Sequence, residues 1–514
     1  MSQRQPSAMK GSLTRLSDRL NESKVMIKIQ QNKRDFEYDI YSLVKAFYPR
    51  EEAATFVDGV GKTPETEVES IVDISYQDDK VFITICHSDG SNAVEGSASL
   101  PAEDRGNTKN ILKNLLYKLL SDYTKQVLPW GTLTGIRPTK IPVALLEKGQ
   151  SDDEIRAYMK ETYLATEEKI ELSLAIAKRE LKLLEKIDYK DGYSVYIGIP
   201  FCPTTCLYCS FTSYPIAAWE KRVEEYLEAL FKEIDFTAKA FSGKILNTIY
   251  IGGGTPTTLS AEQLARLLKK LADSFDYSHL CELTVEAGRP DSVTADKFKV
   301  LKEHHVSRIS INPQTMNQKT LDIIGRKHTI LQVHEAYKLA REAGLDNINM
   351  DLIVGLPDED KEAIRYTMEE IVKLNPDSVT VHSLAIKRAA RLNMFKEQYE
   401  NYAITNNREI IELTREYAKK IGAEPYYLYR QQNMAGNLEN VGYAKQGKEG
   451  IYNILIMEEK QTIVALGAGA STKIVFPDGY RIERIENVKD VAHYITRIDE
   501  MIERKRSFLE ANFR

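Results

Sequence analysis

Between residues 195 and 384 the apolar positions of the chain fall into two alternating rhythms. Short, nearly continuous apolar runs at 195–200, 248–251, 282–286, 308–312, 347–354 and 378–384 predict strands. Between them, over 217–241, 261–275, 295–305, 328–343 and 359–374, apolar residues recur at helical spacing. Such alternation is the pattern of right-handed βαβ units feeding one parallel sheet. Six units make a barrel that stays open on one side, and barrel chemistry gathers at the carboxyl ends of strands.

The flanks read differently. Upstream, strand-like alternation at 25–30 and 80–86 and helical spacing at 108–124 and 167–187 suggest a separate α+β module. Within it, Pro129-Trp130-Gly131-Thr132-Leu133-Thr134-Gly135-Ile136-Arg137-Pro138-Thr139 is dense in turn-formers. It reads as a packed interdomain loop or as a segment touching substrate. Downstream come a helix at 408–421, a strand at 426–430, a β region at 451–466, a glycine-rich turn at 467–471 and a charged helix at 488–508. The expected fold class is α/β: a partial (β/α)6 barrel with an N-terminal α+β domain and a C-terminal α+β extension. The expected divisions are a leader over 1–24, the N-terminal domain over 25–190, the barrel over 191–425 and an extension over 426–514 covering it.

Composition narrows the function classes. A net charge of −5 gives no electrostatic reason to expect nucleic acid as the main partner. No apolar run approaches the roughly 18 residues of a membrane span. The first 24 residues are polar and lack the apolar centre of a signal peptide. Five cysteines, three of them clustered, argue against a disulfide framework and for a reducing compartment, so a cytoplasmic location is expected.

The clustered three are Cys202, Cys206 and Cys209, at the carboxyl end of the first barrel strand. Thiolates are soft ligands that select zinc, copper(I) or iron–sulfur centres. A structural zinc site wants four protein ligands, whereas Cys86 and Cys281 are far away in sequence. Three thiolates on a [4Fe–4S] cube leave one iron open to a small molecule. Gly252-Gly253-Gly254-Thr255-Pro256 follows the second strand, where glycine lets the main chain approach a ligand that a Cβ would repel. Glu286 ends the third strand and can accept hydrogen bonds from ribose hydroxyls or pair with Arg289. Gln314 follows the fourth strand, Arg326 lies twelve residues on, and Asp351 interrupts an apolar strand; each also has a structural reading, as helix cap or satisfied core group.

The runs YIGIPFCPTTCLYCSF, YIGGGTPT, LTVEAGRPD, RISINPQT and NINMDLIVGLP together resemble the radical S-adenosylmethionine (SAM) superfamily. Within it they resemble the oxygen-independent coproporphyrinogen III oxidase (coproporphyrinogen dehydrogenase) family. PWGTLTGIRPTK and PYYLYRQQNMAGNLENVGY resemble its HemZ branch. The resemblance implies a radical SAM barrel with Cys202, Cys206 and Cys209 holding a [4Fe–4S] cluster. It places Tyr196, Gly253, Gly254, Thr255 and Glu286 at the cluster-bound SAM. Tyr208, Gln314, Arg326 and Asp351 match a second SAM site, so one or two molecules of SAM are expected. The implied reaction is oxidative decarboxylation of two propionates of coproporphyrinogen III, or of another tetrapyrrole, with a flavodoxin- or ferredoxin-type reductant. Lys387, Arg388, Arg391 and Arg430 could meet the substrate carboxylates or be surface cations. Phe211 stands where the established decarboxylases carry a fourth Cys, a feature shared with haem-trafficking relatives. The alternative is therefore a haem-binding carrier that keeps the cluster and SAM site, with His382 as its candidate axial ligand.

Overall fold

The computed structural model describes residues 25–49, 51–61, 66–101, 104–135, 137–210, 213–385, 402–430, 438–476 and 481–512. The expected leader, together with Phe211, Lys387, Arg388 and Arg391, lies outside them. The chain divides into two compact units, residues 1–134 with 156–170, and 135–155 with 171–514.

In the larger unit the described residues form one sheet of eleven strands. These are β1 (Gly192–Ile199), β2 (Ile245–Gly253), β3 (Glu282–Glu286), β4 (Arg308–Ser310), β5 (Ile348–Val354), β6 (Ser378–Ser383), β7 (Glu424–Tyr429), β8 (Asn440–Ala444), β9 (Thr462–Leu466), β10 (Ser471–Val475) and β11 (Ile482–Glu486). Their order is β7-β8-β6-β5-β4-β3-β2-β1-β9-β10-β11. Neighbours from β1 to β6 are parallel, as the alternation predicts. The sheet does not close. A seventh parallel strand, β9, joins outside β1, and antiparallel β8, β7, β10 and β11 complete the flanks.

Helices α1 (Val223–Ala240), α2 (Ala261–Ser274), α3 (Ala295–Glu303), α4 (Ile330–Glu342) and α5 (Lys361–Leu374) lie between the strands. Ser260 with Gln263, and Thr329 with Gln332, close reciprocal capping boxes at the starts of α2 and α4. The strands bury apolar residues such as Val195, Ile197, Ile249, Ile251, Val285, Ile309 and Met350. The alternate positions are polar and bond to one another. Thr248 Oγ1 donates to Ser194 Oγ at 2.8 Å, Asn349 Nδ2 to Ser310 Oγ at 2.9 Å, and Ser378 Oγ to Asn349 Oδ1 at 3.0 Å. One sheet face is thus a greasy seat and the other a hydrogen-bonded floor, because successive side chains point to opposite faces.

The expected β region at 451–466 is only half strand. Residues Ile451–Glu458 form helix α6, and β9 begins at Thr462. A short run with no polar period fits either element. Here the helix start is fixed by Glu282 at the base of β3, which accepts from Ile451 N at 2.5 Å and Tyr452 N at 3.4 Å. A carboxylate there satisfies orphan N–H groups and complements the helix dipole. The charged helix expected over 488–508 is split into Val491–Thr496 and Ile498–Asn512 around Arg497.

The smaller unit has a five-stranded sheet in the order Glu52–Val57, Val25–Gln31, Glu67–Gln77, Lys80–His87, Val94–Ser99. Ile27, Ile29, Val72, Ile83 and Ile85 pack with Leu43 and Phe47 of helix Glu37–Phe47 and Leu116 and Leu120 of helix Arg105–Thr124. The PWGTLTGIRPT segment straddles the division. Trp130 is buried in the smaller unit, where Thr132 N donates to Tyr163 O at 2.8 Å. In the larger unit Arg137 Nη1 donates to Met457 O at 2.8 Å and Thr139 Oγ1 to Glu458 at 3.1 Å, fastening the end of α6. Among the described residues no helix is long and apolar enough to cross a membrane.

Candidate metal and cofactor centre

The cysteine loop leaves β1 through Pro200. Phe201–Cys202 pairs with Tyr214–Pro215, which anchors the first thiol. Leu207 sits in a buried cluster with Leu321, Ile324, Ile353 and Leu356, and its N–H donates to Ile324 O at 2.9 Å. The glycine turn after β2 lies directly against this loop. Gly254 N donates to Ile199 O at 2.8 Å and Thr255 N to Phe201 O at 2.7 Å. A Cβ on Gly254 would stand 2.6 Å from Phe201 O and 2.9 Å from Cys202 Sγ, and Gly253 holds a left-handed φ of 109°. Glycine is required here first by the cysteine loop itself.

Donors reach the sulfurs of Cys202 and Cys206. Thr255 Oγ1 lies 3.5 Å from Cys202 Sγ, and Arg289 Nη1 lies 3.7 Å from Cys206 Sγ. Burial pushes the Cys202 thiol up to about 11 despite Thr255, and metal binding there displaces the thiol proton. Among the described residues no group of three or more His, Cys, Asp or Glu could close around a single metal ion. The donor set is three thiols on one eight-residue loop, backed by N–H and O–H groups rather than carboxylates. It fits a cluster in which each sulfur takes its own iron.

Inside the sheet, Tyr250 Oη donates to Glu286 Oε1 at 2.6 Å. Arg289, the alternative partner, is instead held by Asp291 through two bonds of 2.9 and 2.6 Å. The rings of Tyr196, Tyr250 and Tyr452 lie nearly parallel, with Tyr250 and Tyr452 centroids 4.5 Å apart. Tyr452 comes from α6, so the C-terminal segment supplies part of this aromatic floor. Burial pushes the Glu286 carboxyl from 4.5 up to about 7, against the Tyr250 hydrogen bond that favours its charged form. The folded protein therefore holds this proton to higher pH than the unfolded chain does, and folding stability falls as pH rises from 4.5 to 7. Glu286→Gln should flatten that slope and raise cofactor-free stability at pH 8 by about 1–3 kcal/mol, read from urea unfolding at pH 5 and pH 8.

Arg326 ties three loops together. Its Nη1 donates to Tyr208 Oη at 2.8 Å, and its Nη2 to Gly288 O at 2.7 Å and Asn312 O at 2.6 Å. Gln314 is bridged to β5: its N–H donates to Asp351 O at 3.0 Å, and Ile353 N to its carbonyl at 2.9 Å. Its φ is +69°, in the left-handed region that costs a non-glycine residue energy. Its Oε1 is buried with no hydrogen-bond partner among the described residues. Asp351 accepts from Asn349 Nδ2 at 2.7 Å and faces His382 Nε2 at 3.8 Å. Burial pushes its carboxyl up, but His382 and Asn349 outweigh this and hold it below its ordinary value. His382 Nδ1 lies 3.2 Å from Tyr429 Oη, so both ring nitrogens face protein groups. Arg430 is buried beside Glu439 rather than exposed.

The structure thus gathers Cys202, Cys206, Gly254, Thr255 and Arg289 into one cluster of contacts. Tyr196 and Glu286 meet through Tyr250, while Arg326 bonds to Tyr208 of the cysteine loop and Gln314 is bridged to Asp351 of β5. Sequence reasoning missed Tyr250, Tyr452 and His328. His328 is fully buried with both ring nitrogens unpartnered among the described residues. The signal for Tyr250 was present: polar residues at every second position of otherwise apolar strands mark the functional face.

Residues 196–371 match the Radical SAM superfamily model. The chain is 42% identical, over 410 residues, to the oxygen-independent coproporphyrinogen-III oxidase-like protein HemZ of Bacillus subtilis, spanning 79% of this chain and 82% of that relative. The chain belongs to this family. Within its wider circle, the heme chaperone HemW of Bacillus subtilis is 34% identical over 60% of this chain and 76% of its own length. The solved structure of coproporphyrinogen III oxidase (HemN) from Escherichia coli has the same fold, with a TM-score of 0.50 at 22% identity over 63% of this chain and 73% of that one. Membership of the radical SAM superfamily implies a [4Fe–4S] cluster and SAM.

Proposed function

We infer that this protein is a radical SAM oxidoreductase that decarboxylates coproporphyrinogen III oxidatively to protoporphyrinogen IX, independently of oxygen. The observation that carries this is the 42% identity to HemZ across four fifths of both chains. When bound, the cluster and SAM supply reductive cleavage of a sulfonium and a carbon-centred radical able to take hydrogen from a propionate. Cys202, Cys206 and Cys209 would hold the cluster. The main chain at Gly253 and Gly254, with Thr255, lines the approach to it. Tyr196 and Glu286 offer a ring face and a carboxylate acceptor for the nucleoside. Gln314 Oε1 is an acceptor awaiting a donor, and with Tyr208, Arg326 and Asp351 it supports a second SAM site. Arg326 serves there by tying loops, since both its terminal nitrogens are already engaged. Arg430, buried beside Glu439, would add its charge to those met by a substrate carboxylate. A flavodoxin- or ferredoxin-type reductant and a cytoplasmic location complete the proposal.

Ionised Glu286 accepts two hydroxyl protons, whereas its protonated form keeps one oxygen for its own proton. SAM affinity should therefore rise with pH through about 7 and lose that dependence in Glu286→Gln, as read by equilibrium dialysis. The deciding assay is anaerobic: reconstituted protein, dithionite, SAM and coproporphyrinogen III, with products separated by chromatography. Protoporphyrinogen IX with matching 5′-deoxyadenosine is the expected result. SAM cleavage without decarboxylation would discard the substrate. Haem uptake without turnover would put the carrier reading first, although the engaged nitrogens of His382 leave it a poor axial ligand.

A further inference from the structure

Arg289 is a buried cation with only 3% of its surface exposed, and it pairs with Asp291, not with Glu286, which takes Tyr250 instead. Its guanidinium is used in two halves. Nε and Nη2 form a bidentate pair with Asp291, the arrangement that fixes an arginine most rigidly. Nη1, on the opposite edge, donates to Thr204 Oγ1 at 2.9 Å and points at Cys206 Sγ at 3.7 Å. The backbone of the same residue is equally constrained. Its carbonyl accepts from Ser292 Oγ at 2.6 Å, and Ser292 Oγ lies 2.7 Å from Thr257 Oγ1 in the turn after β2. Arg289 is therefore braced on the β2 and β3 turns while its free edge reaches the middle cysteine of the loop.

We propose that Arg289 is a positioning residue that holds a charge-assisted N–H···S bond on Cys206 and thereby raises the reduction potential of a cluster carried by the three thiolates. The proposal rests on those cysteines holding a cluster. The physical ground is electrostatic. Uptake of one electron makes the thiolate-bound centre more negative, so a donor and a positive charge fixed beside one sulfur favour the reduced form more than the oxidised one. No bond is made or broken at Arg289, which keeps its protons in both states. Asp291 draws the guanidinium's charge away from the sulfur while locking its orientation. Burial holds the nearby His328 imidazole down to about 3, so it stays neutral and adds no field of its own. Thr255 gives Cys202 a weaker, uncharged donor.

The test is a redox titration of the anaerobically reconstituted full chain against a low-potential viologen dye, with the reduced centre followed by electron paramagnetic resonance. Arg289→Met removes donor and charge at similar volume. Its potential should move to more negative values, by about tenfold in the reduction equilibrium, or about 59 mV for one electron. Arg289→Lys keeps the charge but loses the bidentate geometry and should fall between the two. Asp291→Asn unmasks the guanidinium and should shift the potential the other way. Iron and sulfide contents equal to the unmutated protein in each variant identify these as tuning effects. A full cluster with unchanged potential in Arg289→Met and Asp291→Asn would overturn the proposal. Loss of the cluster in Arg289→Lys as well as Arg289→Met would also overturn it, leaving Arg289 a structural tie of the loop. Failure of the unmutated chain to take up a cluster would instead sink the functional reading beneath it.

Discussion

Replacing Cys202 by alanine should bring SAM cleavage down to the rate of the protein-free control. The three thiols have no substitutes nearby: among the described residues Cys281 lies at the opposite end of β3, its Sγ donating to Asn247 O at 3.0 Å, and Cys86 belongs to the other compact unit. Cys202 is also the thiol against which the glycine turn is built, so its loss strips a ligand from the edge where Gly254 and Thr255 close on the loop. Cys202→Ala should leave the fold intact, because alanine fits where the sulfur was and the one hydrogen bond lost is the long 3.5 Å contact from Thr255 Oγ1. The measurement is 5′-deoxyadenosine formation beside iron content and circular dichroism. Normal cleavage by a folded, iron-poor variant would remove the cysteine loop from the chemistry.

The largest expected effect on stability lies away from the cysteines. Glu233 on α1 is fully buried and accepts from four donors: Lys505 Nζ at 2.6 Å, Asn487 Nδ2 at 2.8 Å, Gly467 N at 2.9 Å and Tyr494 Oη at 2.5 Å. Lys505 is 2% exposed, so removing its partner leaves an uncompensated buried charge. Glu233→Ala should cost about 3–5 kcal/mol in urea unfolding of the cofactor-free protein. Glu233→Leu with Lys505→Met removes both charges and should recover most of that loss. Gly467 lies in van der Waals conflict range of Gly198 for any added Cβ, so this network also sets how the β9 turn seats on the end of β1. A Glu233→Ala protein as stable as its parent would mean the charges are solvated in solution.

What the sequence revealed and what it hid follow from one distinction. The parallel order of β1 to β6 was legible because each strand buries one apolar face and the intervening helices carry a regular stripe. The cysteine loop, the glycine turn and Glu286 were legible because they sit where such strands end. Helix α6 was not, since its identity depends on Glu282, 169 residues earlier in the chain, capping its start. The ring stack of Tyr196, Tyr250 and Tyr452 was hidden for the same reason. Two of its members are neighbours across β1 and β2, but the third arrives from far downstream. Arg289 shows the limit of proximity in sequence: pairing with Glu286 was the alternative reading of that carboxylate, and the chain turns after β3 and gives Arg289 to Asp291 instead.

The late arrival of Tyr452 has a consequence for the timing of assembly. Cys209 leaves the ribosome about 240 residues before Tyr452, which at roughly 5–20 residues per second is a delay of about 12–50 seconds. Throughout that interval the thiols exist without the aromatic floor or the Glu282-capped helix that complete the interior. A nascent chain offers three soft, oxidisable ligands to whatever metal or oxidant meets them first. Insertion of iron and sulfide after release from the ribosome, into a chamber whose last wall is already standing, is the order of events this architecture rewards.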